Sequence, residues 1–212
     1  MSHLKSILYA AVFTAAFFLR AETPISTYIE GRVDAVDLSL KDQFEPFIID
    51  VNHSLSSNLL IATGVKGRME TVINNKYWRL GSETMGIWNS DSDFWLDSGS
   101  ILLCTEHPQI IKFSTRDSNA TFNGRGTVII EATNNGGFKF IPLEGKGTIS
   151  TENGGSKEII GGRMILVLGK PAYFGDAYDI DIMLMLKSSR LINAFPTPLP
   201  TFKKIGLAIY VQ

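Results

Sequence analysis

The chain has one cysteine, Cys104, so no intramolecular disulfide can form and stability must come from packing alone. A small disulfide-stapled module is thereby excluded. The thiol sits in SILLCTEHP, an apolar run in which a lone cysteine reads as a small buried hydrophobe. The alternative, a nucleophile paired with His107, would need an activating constellation that the sequence lacks. Histidine is equally scarce. Beyond the first segment only His53 and His107 remain, in no HExxH or other ligand-spaced pair, and no GxSxG occurs. The string GRGTVI at Gly124 lacks the third glycine of a dinucleotide loop and runs into a β-branched strand where a helix should begin. No catalytic residue, metal site or cofactor is therefore assigned. Basic residues are scattered, adjacent only at Lys203 and Lys204, and the formal net charge is −1, so a nucleic-acid face is not expected. With no repeat period and no composition break, one domain is expected.

At the N-terminus, MSHLKSILYAAVFTAAFFLRAET places Lys5 before an apolar run from Ile7 to Leu19, then Arg20 and Ala21. The run is short for a permanent membrane span of about 20 residues but fits a signal-peptide core. Residues 1–21 read as a signal peptide and 22–212 as the mature domain, which places the protein in the periplasm or outside the cell. An uncleaved anchor is the alternative, and only that form would hold the chain at a membrane. No cysteine near Ala21 supports a lipoprotein anchor.

What the chain has in abundance is β signal. The segment GRVDAVDLSL alternates, with Val33, Ala35 and Leu38 or Leu40 as inward positions, and PFIIDV, NLLIATG and GRMETVI supply further strands. Asn74 and Asn75 form a turn pair that closes a hairpin into KYWRLGS, because asparagine tolerates positive φ. From Ile110 to Ile149, the apolar runs IIKF, GTVIIEA and GGFKFIPLEG are separated by STRDSNATFNGR and TNNGG, which reads as strand, turn, strand, turn, strand with glycines at the turns. KEIIGGRMILVLG reads as a later strand pair. Asp176 to Phe195 contains no Gly or Pro and can start at an Asp cap, so one helix of about three turns is expected, with a strand over Ile180 to Leu186 as the alternative. FPTPLPTF ends that helix in an extended strap, and KIGLAIYVQ reads as a last strand. The expected fold is mainly β: a twisted β-sandwich or short β-solenoid-like stack of many short strands, with one C-terminal helix.

The order carried by Thr115, Ala120, Gly124, Gly126, Thr127 and Glu131, followed by LEGKG at Leu143 to Gly147, resembles the FecR-domain family of extracytoplasmic all-β domains. The likeness covers roughly Gly64 to Val167 and extends more weakly to Gln212. Asn74, Asn75 and Lys76 stand where the family usually has Asp-Gly-Ser, keeping the turn while losing the glycine. In the signalling members a cytoplasmic sigma-factor-binding region and a membrane helix precede this domain. Here a signal-like segment comes first, so the resemblance implies fold and compartment rather than sigma regulation.

Two surface features suggest chemistry. Asp91, Asp93 and Asp97, with Asn89, space their oxygens as a calcium loop does but lack the central glycine and distal glutamate, so a solvated turn is the simpler reading. Pairing Asp91 with Asp97 as a glycosidase would need a carboxyl separation that spacing along the chain does not supply. Trp78, Trp88 and Trp95, with Tyr77, are the candidate ligand-binding residues, because indoles stack on sugars and anchor interfaces; filling the core is the competing role. The functional expectation is a non-enzymatic FecR-like domain binding a protein or ligand in the cell envelope, in signalling or assembly. The alternative is a carbohydrate- or envelope-polymer-binding β module.

Overall fold

The computed structural model describes residues 23–40 and 44–210, so the signal-like segment lies outside the described residues. Fourteen strands form one open sheet: β1 (Ile25–Glu30), β2 (Val33–Asp37), β3 (Phe47–Ile48), β4 (Leu59–Thr63), β5 (Arg68–Ile73), β6 (Lys76–Leu80), β7 (Met85–Ser90), β8 (Asp93–Ser98), β9 (Ser100–Ser114), β10 (Asn119–Ala132), β11 (Phe138–Thr151), β12 (Gly155–Glu158), β13 (Arg163–Leu168) and β14 (Tyr173–Asp179). Three helices follow: α1 (Ile182–Ser188), α2 (Arg190–Asn193) and α3 (Phe202–Ala208).

The long strand β9 organises the sheet. Its first half pairs with β6 and its last residues run parallel to β8, while β10 lies along its other side. One branch continues through β6, β5 and β1, and the other through β8, β7, β4, β2 and β3. The branches share one apolar core, in which Trp78 of β6 meets Trp88 of β7 and Phe94 of β8 at ring-centroid separations of 5.1 and 5.9 Å. Alternation along the central strands gives the sheet a second apolar face. Ile101 and Leu103 enter the first core, whereas Leu102 and Cys104 join Ile129, Ile141 and Leu143 beneath Ile182, Leu191, Ile192 and Ile205 of the helices. Runs such as SILLC and TVII are therefore apolar throughout because both of their faces are covered.

Several expectations hold. Val33 and Ala35 point inward, although Leu40 is exposed. Asn74 and Asn75 take φ of 48° and 58° and close the two-residue hairpin between Ile73 and Lys76. Gly162, with φ of 80°, precedes β13, although the strands on its two sides do not pair with each other: β12 ends at Glu158, and both pair with β11. Others need correction. The block from Ile110 to Ile149 belongs to three long strands, and NATFNGR, expected to be turn, is strand. The helix expected from Asp176 begins later, because Tyr173–Asp179 pairs with β13. Its cap is Asp181, whose carboxylate accepts from the Leu184 N–H at 2.8 Å, and extended backbone at Ser189 divides it into α1 and α2. Among the described residues, no closing strand forms after the proline-rich strap; Phe202–Ala208 is helical. There Ile205, Ala208 and Ile209 recur at helical spacing and cover the second apolar face, which offers more burial than a sheet edge.

Arg79 fastens this helical layer to the sheet. Fully buried, it donates to Glu70 at 2.7 Å and to the carbonyls of Leu191, Ile192 and Thr197, and it lies 4.4 Å from the Phe195 ring centroid. One guanidinium thus pairs a buried carboxylate and caps the carbonyls around α2.

Candidate binding groove

β10 and β11 touch at two glycine pairs, Gly124 opposite Gly147 and Gly126 opposite Gly145. A Cβ on Gly126 would stand 2.5 Å from Gly145 Cα, and one on Gly147 would stand 2.2 Å from Asn123 O. Gly126, Gly145 and Gly147 also have φ between 135° and 141°, so side chains are excluded by space and by backbone together. Register shifts flank the contact on both sides of β10, between Gly124 and Gly126 against β9 and between Thr127 and Val128 against β11. Such bulges re-aim side chains and turn strands.

Beside this glycine contact the sheet is interrupted. On the edge of β11 away from β10, β13 pairs Phe138–Phe140 and β12 pairs Thr148–Thr151, while residues 143–146 have no strand partner there among the described residues. The connecting loop spans the gap, with the Ile159 N–H donating to Gly147 O at 2.9 Å and the Gly162 N–H to Pro142 O at 2.8 Å. A cavity of about 570 Å³ opens there, lined by Glu144, Gly145, Lys146, residues 160–163, Asp179 and Ala208 of α3. A second, of about 280 Å³, shares Glu144, Gly145 and Lys146 and extends to Glu106, Arg125, Thr201, Lys204 and Leu207. Together they make one groove between the sheet gap and α3.

The groove carries opposite charges in close order. Glu144 accepts from the Thr127 hydroxyl at 3.1 Å; Thr127 is bonded to the Thr201 hydroxyl, which lies 3.4 Å from Cys104 Sγ. Burial pushes the Glu144 carboxyl above its ordinary range, against the Thr127 hydrogen bond and the Lys204 charge, which pull it down. Burial also pushes the Cys104 thiol up, which keeps it protonated and unreactive. Lys204 pairs with Glu106 at 3.3 Å, whereas Arg125, Lys146, Arg163 and Asp179 form no ion pair within 4.0 Å among the described residues. The lining has no aromatic side chain. Such a site suits a ligand with its own charges and amides rather than a stacked ring.

The tryptophans lie away from this groove, and Trp78 and Trp88 take the competing role of filling the core. Trp78 Nε1 lacks a hydrogen-bond partner among the described residues. Trp95 is partly exposed and alternates with the buried Phe94 and Leu96 along β8. Each clustered aspartate faces a separate cation: Asp91 with the buried Lys76 at 2.8 Å, Asp93 with Lys112 at 3.9 Å and Asp97 with Arg116 at 3.6 Å. The Lys76 ammonium holds the Asp91 carboxyl below its usual range. No group of three or more His, Cys, Asp or Glu able to hold a metal occurs among the described residues.

The block around LEGKG, read in the sequence as strands and turns, supplies the floor of the groove. A signal for this was present: Gly124 and Gly126, like Gly145 and Gly147, are spaced by two, as cross-strand contacts are and single turns are not. Arg163, Asp179 and Thr201 carry no comparable local signal, because they reach the groove from separate elements. No family model, curated protein or solved structure matches this chain.

Proposed function

We propose that this protein is an extracytoplasmic, non-enzymatic binding domain of the FecR-like kind, which holds a charged, extended segment of a protein partner in the groove beside Gly145. The carrying observation is the interrupted edge of β11, where a cavity meets unpaired cations and a carboxylate. An exposed strand edge recognises extended peptide through backbone hydrogen bonds, and neighbouring side chains add selectivity. Arg163 and Lys146 suit acidic groups on that segment, and Asp179 suits a basic one. The residues behind the FecR-like resemblance support the same reading, since Gly124, Gly126, Thr127 and Leu143 to Gly147 build the groove or its floor. A glycan-binding role through indole stacking has less support, because Trp78 and Trp88 are buried and the groove lacks aromatics.

The test is site-specific photo-crosslinking in living cells, with the probe at Lys146 and, as control, at the exposed Val65. A discrete protein adduct at Lys146 is expected, weakened by Asp179→Lys and Arg163→Glu, with no such adduct at Val65. Equal labelling at both positions, or an adduct indifferent to both groove variants, would defeat the binding assignment. Cell fractionation tests compartment separately: a wholly cytoplasmic protein would defeat the extracytoplasmic assignment.

A further inference from the structure

The helical layer differs in charge from the rest of the chain. Every Asp and Glu lies at or before Asp181, whereas residues 182–210 carry Lys187, Arg190, Lys203 and Lys204 and no acid. One side of this layer is buried on the sheet through Ile182, Leu191, Ile192 and Ile205. Large apolar side chains nevertheless remain in water: Leu184 is 60% exposed and Leu207 66%, and Met183, Phe202 and Tyr210 are exposed as well. α1 packs against α3, and the same two helices expose Lys187 and Lys203. Lys146, Arg163 and the exposed Ile160 line the cavity next to Ala208 and continue the same mixture of cation and hydrocarbon. The acids at its margin are few. Asp181 caps α1, Glu106 is paired with Lys204, Glu144 is half-buried, and Asp179 lies in the groove.

We propose that the α1–α3 face docks on an anionic phospholipid surface. Apolar side chains interleaved with lysines match a bilayer interface, which offers hydrocarbon just beneath a plane of phosphates. Charge complementarity points the same way, since Lys187 and Lys203 are exposed on the two helices that also expose leucine, methionine and phenylalanine. A soluble polyanion would satisfy the lysines and leave Leu184 and Leu207 in water. Docked in this way, the domain would present the adjoining groove at the membrane surface. The inference does not depend on what the groove binds.

Vesicle flotation with the secreted form of the chain tests this, its N-terminus read by mass spectrometry. Vesicles rich in phosphatidylglycerol are compared with pure phosphatidylcholine vesicles at low and high salt. The variants are Leu184→Glu/Leu207→Glu, Lys187→Glu/Lys203→Glu and the control Val65→Glu; all five sites are exposed, and matched thermal unfolding checks that each variant folds. Flotation with the anionic vesicles only, weakened by salt, is expected. The leucine pair should abolish it, the lysine pair should weaken it at least about thirtyfold, and Val65→Glu should leave it unchanged. No association with anionic vesicles, equal association with neutral ones, or indifference to either variant pair would overturn the proposal. Charge-dependent binding to heparin together with vesicle binding that ignores Leu184 and Leu207 would identify a general polyanion surface instead.

Discussion

Glu144 shows how one side chain can be held against its preference. Its carboxylate lies half-buried beside the glycine contact, with Thr127 as its hydrogen-bond partner. Because burial raises its pKa in the folded chain, the native state binds a proton more readily than the unfolded state between the ordinary carboxylate range and that raised value. Stability from this group is therefore highest at acid pH and falls as pH rises through the window. Replacing Glu144 with Gln keeps an acceptor for Thr127 and removes the charge. Chemical denaturation should show Glu144→Gln more stable than wild type at neutral pH, with the difference vanishing below the ordinary carboxylate range. A variant less stable at neutral pH would show that the ionised carboxylate is favoured where it lies. Nothing in LEGKG by itself announces this, since the burial of Glu144 depends on Thr127 and α3.

Among the elements, the β10–β11 pair carries the strongest local constraint. Its glycines were read as turn residues, yet they lie mid-strand, where two backbones approach more closely than any Cβ allows. Gly145→Ala would place a methyl 2.4 Å from Arg125 O at φ of 141° and should cost about 3 kcal/mol or prevent folding. Gly155→Ala is the matched comparison. Its φ is also positive, 68°, but nothing lies within 4 Å of the added methyl, so a loss of only about 1 kcal/mol is expected. Urea midpoints for the two variants measure the contrast, and equal losses would mean that strain alone, without the cross-strand contact, sets the cost. The hairpin at Asn74 and Asn75 was legible because its signal is local. The start of α1 was less so, because Asp176, Asp179 and Asp181 all resemble caps and pairing with β13 decides among them.

For the whole molecule, the sheet and its helical layer are joined by a second core and by Arg79. Cys104 lies between them, fully buried against Thr201, and therefore reports their separation. In the native protein the thiol should resist an aqueous thiol reagent, reacting only at the rate at which the layer opens. Arg79→Met would leave Glu70 buried without its cation, with only the Thr27 hydroxyl still donating to its carboxylate, and the carbonyls of Leu191 and Ile192 without their donor. It should lower stability by about 3–5 kcal/mol and speed Cys104 labelling in proportion. Lower stability with unchanged labelling would show that Arg79 holds the sheet rather than the layer.

The amino-acid pattern fixed what depends on neighbours: a mainly β chain, its asparagine hairpin, the glycine before β13, and a cysteine destined for burial. Those outcomes follow from backbone preference and alternation, which act over a few residues. The three-helix layer, the burial of Trp78 and Trp88, and the groove depended on long-range packing. KIGLAIYVQ fits a strand or a helix equally by period, and the bare second face of the sheet made its start, through Ala208, helical. Glu144, Arg163, Asp179 and Thr201 become neighbours only when β11, β13, β14 and the helical layer are assembled, because the distances that bring them together are set by sheet register and helix docking.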